Sequence, residues 1–137
     1  MDHIAIDLGS RKSQLCARAS DGTIVAEHPI CTQDIVGHLE SLPKSRVILE
    51  TCAESFHVAE GLMEHGHEVR IVPATLARQL GVGARKLKTD IRDARVLSEA
   101  SCRIELPSVH IPSASSRAIK VQCNMRDALV KCRTLMC

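Results

Sequence analysis

Four carboxylates stand where they could do chemistry together. Asp7 ends the apolar run His3-Ile4-Ala5-Ile6, and Glu50 ends Val47-Ile48-Leu49, so each lies where a strand meets its loop. In open α/β sheets ligands bind at those carboxyl ends. Asp90 and Asp93, spaced i, i+3 near the start of a helix, project from one of its faces. Four converging carboxylates repel and stay ionised only with compensating charge. Divalent cations supply it: an oxygen-only ligand set suits Mg2+ or Mn2+, which keep waters and take up substrate phosphate oxygens. Two such ions clamp the attacking and leaving oxygens of an in-line phosphoryl transfer. Taken singly, an acid at a strand end is more often a cap or turn former, and one in a first helical turn serves the dipole. The reading gains its force from three separate places agreeing on one chemistry.

The elements that must position these acids follow from period and punctuation. Ser13 to Ala19 alternates, with Leu15, Ala17 and Ala19 on one face; Asp21-Gly22 is a hairpin signal, and Thr23 to Ala26 returns from it. Thr32 is expected to cap a helix carrying Ile35, Val36, Leu39 and Leu42 on one side, ended by Pro43. Val47-Ile48-Leu49 reads as a strand covered on both faces. Phe56 to His65 reads as a helix with Phe56, Ala59, Leu62 and Met63 inward and Gly66 as its stop. A strand Val69 to Val72 stops at Pro73, followed by a short helix (Ala74 to Leu80), the loop Gly81-Val82-Gly83 and a helix from near Thr89. This order, three meandering strands and then α/β crossovers, predicts an α/β, ribonuclease-H-like fold: a mixed five-stranded sheet with flanking helices.

Composition narrows the function classes. A chain of 137 residues suits one domain, and 45% apolar residues can fill its core. One Phe, no Trp and no Tyr exclude a reader that stacks bases on aromatic platforms. The seven cysteines include no CxxC or CxxH spacing, which argues for reduced, buried thiols in a cytoplasmic protein; the longest uncharged apolar run is only a few residues, which argues against a membrane span or a signal peptide. His65 and His67 flank Gly66 and read as solvent-facing turn residues; Met63, Met125 and Met136 read as packing. Residues 1–68 hold 5 Lys/Arg against 11 Asp/Glu, and residues 69–137 hold 13 against 5. Six cations fall between Arg78 and Arg95, either a solvated face or a phosphate-backbone footprint carried by Arg85, Lys86, Lys88 and Arg92. Beyond Pro112, Ser113 caps a last helix in which Ala118, Val121, Met125, Ala128, Cys132 and Leu135 form a heptad seam. That seam either lies on the same domain or opens a coiled coil, and the uncapped end at Cys137 reads as a cut one.

Ile4-Ala5-Ile6-Asp7-Leu8-Gly9, Leu49-Glu50-Thr51-Cys52 before a helix, Gly66-His67-Glu68-Val69-Arg70 and Lys88-Thr89-Asp90-Ile91-Arg92-Asp93-Ala94 together resemble the DEDD transposases, insertion-sequence recombinases related to the Piv/MooV invertases. The resemblance implies a RuvC-like catalytic domain over residues 1–112 and the start of a helical coiled-coil segment over 113–137. It implies that Asp7, Glu50, Asp90 and Asp93 hold two Mg2+ (or Mn2+) ions. It also implies DNA as substrate, a guide RNA encoded by the element, and dimers or tetramers formed through the C-terminal helix. Members of the family are more than twice as long and carry the nucleophilic serine in a second domain; Ser113, Ser115 and Ser116 read instead as caps. Without that domain the chain alone is expected to be inactive in strand transfer. The competing expectations are a RuvC-type structure-specific endonuclease, a truncated nucleic-acid-binding or dimerisation module, and an actin-like nucleotide-binding fold, which would need a second phosphate loop.

Overall fold

In a computed structural model, which describes residues 1–81 and 90–136, the apolar runs become one sheet. Its strands are β1 (His3–Asp7), β2 (Lys12–Arg18), β3 (Ile24–Cys31), β4 (Arg46–Glu50) and β5 (Glu68–Val72), in the order β3-β2-β1-β4-β5. The first three form an antiparallel meander, while β4 and β5 join β1 in parallel. This is the mixed five-stranded sheet expected. β3 runs further than its β-branched start suggested.

Side chains alternate across the strands and divide the core in two. Ile4, Ile6, Val47, Leu49 and Ile71 pack with Leu39, Ala59 and Leu62 of α1 (Ile35–Glu40) and α2 (Ser55–Glu64). On the opposite face Ala5, Ile48 and Val72 meet Ala77 of α3 (Ala74–Gln79) and Leu97 of α4 (Asp90–Arg103). Val47, Ile48 and Leu49 are all buried, as a strand covered on both faces requires. The outer edge of β5 is covered by the following segment, where Val109 N–H donates to the Ile71 carbonyl (2.8 Å).

Several local expectations give way to tertiary contacts. Thr32 makes no side-chain cap. It opens a 3-10 turn (Thr32–Asp34) ahead of α1, and its hydroxyl donates to the Gly9 carbonyl (2.7 Å) while lying 2.8 Å from Ser13 Oγ. The first helix ends at Glu40, so Leu42 is left exposed. In α2 the inward face is Ser55, Val58, Ala59 and Leu62, and Met63 points to solvent. Cys16 is buried, but Cys52 and Cys102 are half-buried and Cys31, Cys123 and Cys132 are exposed.

His67 is the clearest correction. Gly66 turns the chain with φ at 86°, which delivers His67 inward, where it is 5% exposed. Its Nδ1 accepts the Ser45 N–H (3.2 Å) and its Nε2–H donates to the Leu39 carbonyl (2.9 Å), so the ring is a neutral strut between α1 and the sheet. Replacing His67 with Ala leaves the buried Ser45 N–H without its partner, while the Leu39 carbonyl keeps the Leu42 N–H (3.0 Å). The expected loss is about 1–3 kcal/mol in urea denaturation; a loss below ~0.5 kcal/mol would refute the strut.

The last helix, α5 (Ala114–Met136), begins at a real cap: Ser116 N–H donates to Ser113 Oγ (3.1 Å). Arg117 pairs with Glu60 of α2 and ties down the first turn. Beyond it the seam does not lie on the sheet: Met125 is 61% and Leu135 86% exposed. Of the two expectations for this helix, packing on its own domain is therefore not what the structure has.

Candidate functional site

The register of the central strands brings the first two acids side by side. Ile6 pairs with Leu49 in the parallel β1–β4 ladder, so Asp7 and Glu50 are the next residues of adjacent strands at the same end. By alternation from Ala5 and Ile48 they share the α4 face. Local contacts hold both strand ends. After Asp7, the turn is drawn in by Gly9 N–H donating to Ser13 Oγ (3.3 Å), and a Cβ at Gly9 would sit 2.2 Å from the Lys12 carbonyl oxygen. After Glu50, both the N–H and hydroxyl of Thr51 donate to the Val72 carbonyl (3.0 Å each). Ser55 Oγ then closes the turn into α2 by donating to the Cys52 carbonyl (2.8 Å).

The third place is α4, which crosses this face. Ser101 Oγ lies 2.7 Å from His3 Nδ1 near the bottom of β1. From Ser101 back to Asp93 the helix rises about 12 Å, and from His3 to Asp7 the strand rises about 13 Å. Asp93 is thereby carried toward the Asp7 end, in the first turns of α4, and is 1% exposed. The helix N-terminus favours anions at that position. The side chain of Asp90 and the whole of Arg85, Lys86 and Lys88 lie outside the described residues. Arg92 is exposed on α4, immediately before Asp93.

So the structure gathers Asp7 and Glu50 on one edge of one face and turns Asp93 toward it. Among the described residues no three His, Cys, Asp or Glu side chains are close enough to hold a metal ion. The donor chemistry nonetheless fits a hard divalent cation, because the acids offer oxygen alone. Gln14 belongs to none of the sequence motifs. It pairs with Asp7 across the β1–β2 ladder, on the same face, and is buried. The signal that would have found it is the count of residues back through the Asp21-Gly22 hairpin.

The opposite end of the sheet is polar for structural reasons. Burial would raise the Glu68 carboxyl, but hydrogen bonds from Arg70 (2.9 Å) and Arg46 (3.1 Å) outweigh it and hold the group below its ordinary value. Burial, with Arg46 nearby, lowers the pKa of His3. As pH falls through the ordinary histidine value of about 6.5, the unfolded chain binds a proton that the folded chain resists. Stability is therefore present in full above that value and declines below it. His3→Gln is expected to flatten the part of a Tm–pH profile between about pH 7.5 and 5.5; an unchanged profile would contradict the assignment.

The chain matches the DEDD transposase family of the IS110 type over residues 4–136. It is 26% identical over 137 residues to a Pseudomonas aeruginosa protein named "Probable family 20 transposase", covering 100% of this chain and 40% of that protein. It is 25% identical over 128 residues to the transposase for insertion sequence element IS1328 of Yersinia enterocolitica, covering 93% of this chain and 37% of that one. The chain thus spans well under half the length of these relatives. Among solved structures it resembles Thermus thermophilus RuvC, with a TM-score of 0.54 at 13% identity over 80% of this chain and 100% of that one. That likeness establishes the ribonuclease-H-like, RuvC-like fold. Among the described residues no helix is long and apolar enough to cross a membrane. With the family match running across nearly its whole length, the chain belongs to the DEDD transposase family.

Proposed function

We propose that residues 1–112 are the carboxylate-bearing catalytic domain of a DNA strand-cleaving and strand-joining transposase, and that residues 113–137 begin a coiled coil through which copies associate. The observation that carries the reading is the placement of Asp7 and Glu50 as neighbours on the face crossed by α4, whose first turns carry Asp93. Asp7, Glu50, Asp90 and Asp93 would hold two divalent ions, Mg2+ or Mn2+. Such ions supply Lewis-acid stabilisation of the charge that builds on a phosphate in transfer. The chain's own part is to preset that site: β1 and β4 fix two carboxylates, and the N-terminus of α4 supports the others. The exposed seam of α5 suits a second copy of the same helix. Guidance by an element-encoded RNA, on the strength of the family resemblance, and a cytoplasmic location, on the cysteine usage, complete the reading.

The nucleic-acid part is tested by salt. Arg85, Lys86, Lys88 and Arg92 precede or flank the acids in sequence and would bind phosphates. Removing one phosphate-binding cation flattens the dependence of log K on log salt by about 0.9 for duplex DNA. Replacing Lys86, Lys88 and Arg92 with Gln should therefore flatten it by about 2–3 units. An unchanged slope for both DNA and RNA would mark the segment as a solvated face.

A further inference from the structure

Small apolar side chains alone would let a helix slide on a sheet, because each step along the axis offers a similar contact. Under α4 lie Ala5 and Cys16, and the helix presents Ala94, Leu97, Ser98 and Ser101 to them. Besides the contact of Ser101 with His3 of β1 (2.7 Å), polar groups from β2 and β3 hold it along its axis. The β2–β3 ladder slips between Ala17 and Arg18: Ala17 pairs with Ala26 and Arg18 with Ile24, leaving Val25 as an extra residue. Bulges of this kind sharpen the local twist and re-aim a side chain. The side chain here is Arg18, which reaches under α4. Its Nε donates to Ser98 Oγ (2.9 Å), one terminal nitrogen to the Arg95 carbonyl (3.4 Å) and the other to the Gly22 carbonyl (2.9 Å). A rigid guanidinium fork can serve three acceptors on a hairpin turn and a helix at once; an ammonium cannot match that geometry.

A second tie runs the other way. Arg95 grips Glu27 of β3 with two parallel hydrogen bonds, Nε to Oε2 (2.5 Å) and Nη2 to Oε1 (2.6 Å). Glu27 pairs with Cys16, and Cys16 with Ala5, so this tie is level with the residue two before Asp7. Arg95 is itself two residues beyond Asp93. Both ties therefore act on the stretch of α4 next to the acid.

We propose that Arg18 and the Arg95–Glu27 pair are positioning residues that fix the axial register of α4 on β1 and thereby set Asp93 toward Asp7. This rests on the reading of Asp7 and Asp93 as parts of one metal-binding centre. Arg95 thus belongs to the scaffold, although it lies in the basic stretch. A half-exposed ion pair adds little to global stability, so a purely structural pair and a positioning pair differ in what they change.

The test uses the 137-residue chain with Mn2+ as probe, followed by paramagnetic resonance, together with hydrogen exchange of the α4 amides. Glu27→Gln should weaken Mn2+ binding about 10–100-fold, the range for groups that orient ligands, and speed exchange over residues 93–97 with little change in Tm. Exchanging the partners, Glu27→Arg with Arg95→Glu, should recover both. Arg18→Lys should act as Glu27→Gln does. Wild-type affinity and wild-type exchange in Glu27→Gln and Arg18→Lys would overturn the proposal, as would a folded charge-exchanged variant that recovers neither. If the wild-type chain takes up no Mn2+, the metal-centre reading fails by itself. Exchange then still decides the clamp: faster exchange confined to the start of α4 supports it, and no change overturns it.

Discussion

Titrating Mn2+ into the wild-type chain is expected to give weak, Mg2+-like binding that vanishes in the Asp7→Asn, Asp93→Asn double variant. Asn keeps the shape of Asp and removes its charge, so two of the four proposed ligands become poor ones while the fold persists. The loss should exceed the ~10–100-fold that changes behind the ligands produce. Without metal the double variant should melt at a higher temperature than wild type. Removing two like charges from carboxylates proposed to share one site relieves their mutual repulsion. Calorimetry checks the first claim and thermal unfolding the second. Identical isotherms for the two proteins would show that these acids are not the site.

The second large effect concerns DNA. On the family resemblance the nucleophilic serine lies in a second domain, and the chain spans only 40% and 37% of two transposases it matches. Losing an activated nucleophile costs about 10⁴-fold or more in rate. The 137 residues alone are therefore expected to fold and bind metal yet fail to join DNA ends. A supercoiled plasmid with Mn2+, treated with this chain or its Asp7→Asn form, measures it. Asp7-dependent joining of ends would overturn the two-domain reading. Asp7-dependent nicking without joining would favour a water-using endonuclease of the RuvC type instead.

Much of the fold was legible in the residues because its signals are local. Apolar runs ending in Asp7 and Glu50 specified β1 and β4, Asp21-Gly22 specified the hairpin, and Ser113 marked the start of α5. The placement of both acids at strand ends followed from the same runs. Contacts between distant residues carry no such signal, and several assignments turned on them. His67 looks like a turn residue until Ser45 and Leu39 are brought around it. Thr32 looks like a cap until Gly9 and Ser13 arrive 23 and 19 residues away in sequence. Met63 has the right helical spacing for the core, but the sheet meets α2 along Val58, Ala59 and Leu62 instead.

The sequence by itself determined the element order, the sheet plan and which acids end their strands, since these depend on period and on residues within a turn of one another. Only the tertiary structure decided that Asp7, Glu50 and the Asp93 end of α4 share one face, that Gln14 stands beside Asp7, and that α5 keeps its seam exposed. The reason is that a helix's position along a sheet is set by bonds such as Arg18–Ser98 and Arg95–Glu27, which join residues 80 and 68 apart in sequence.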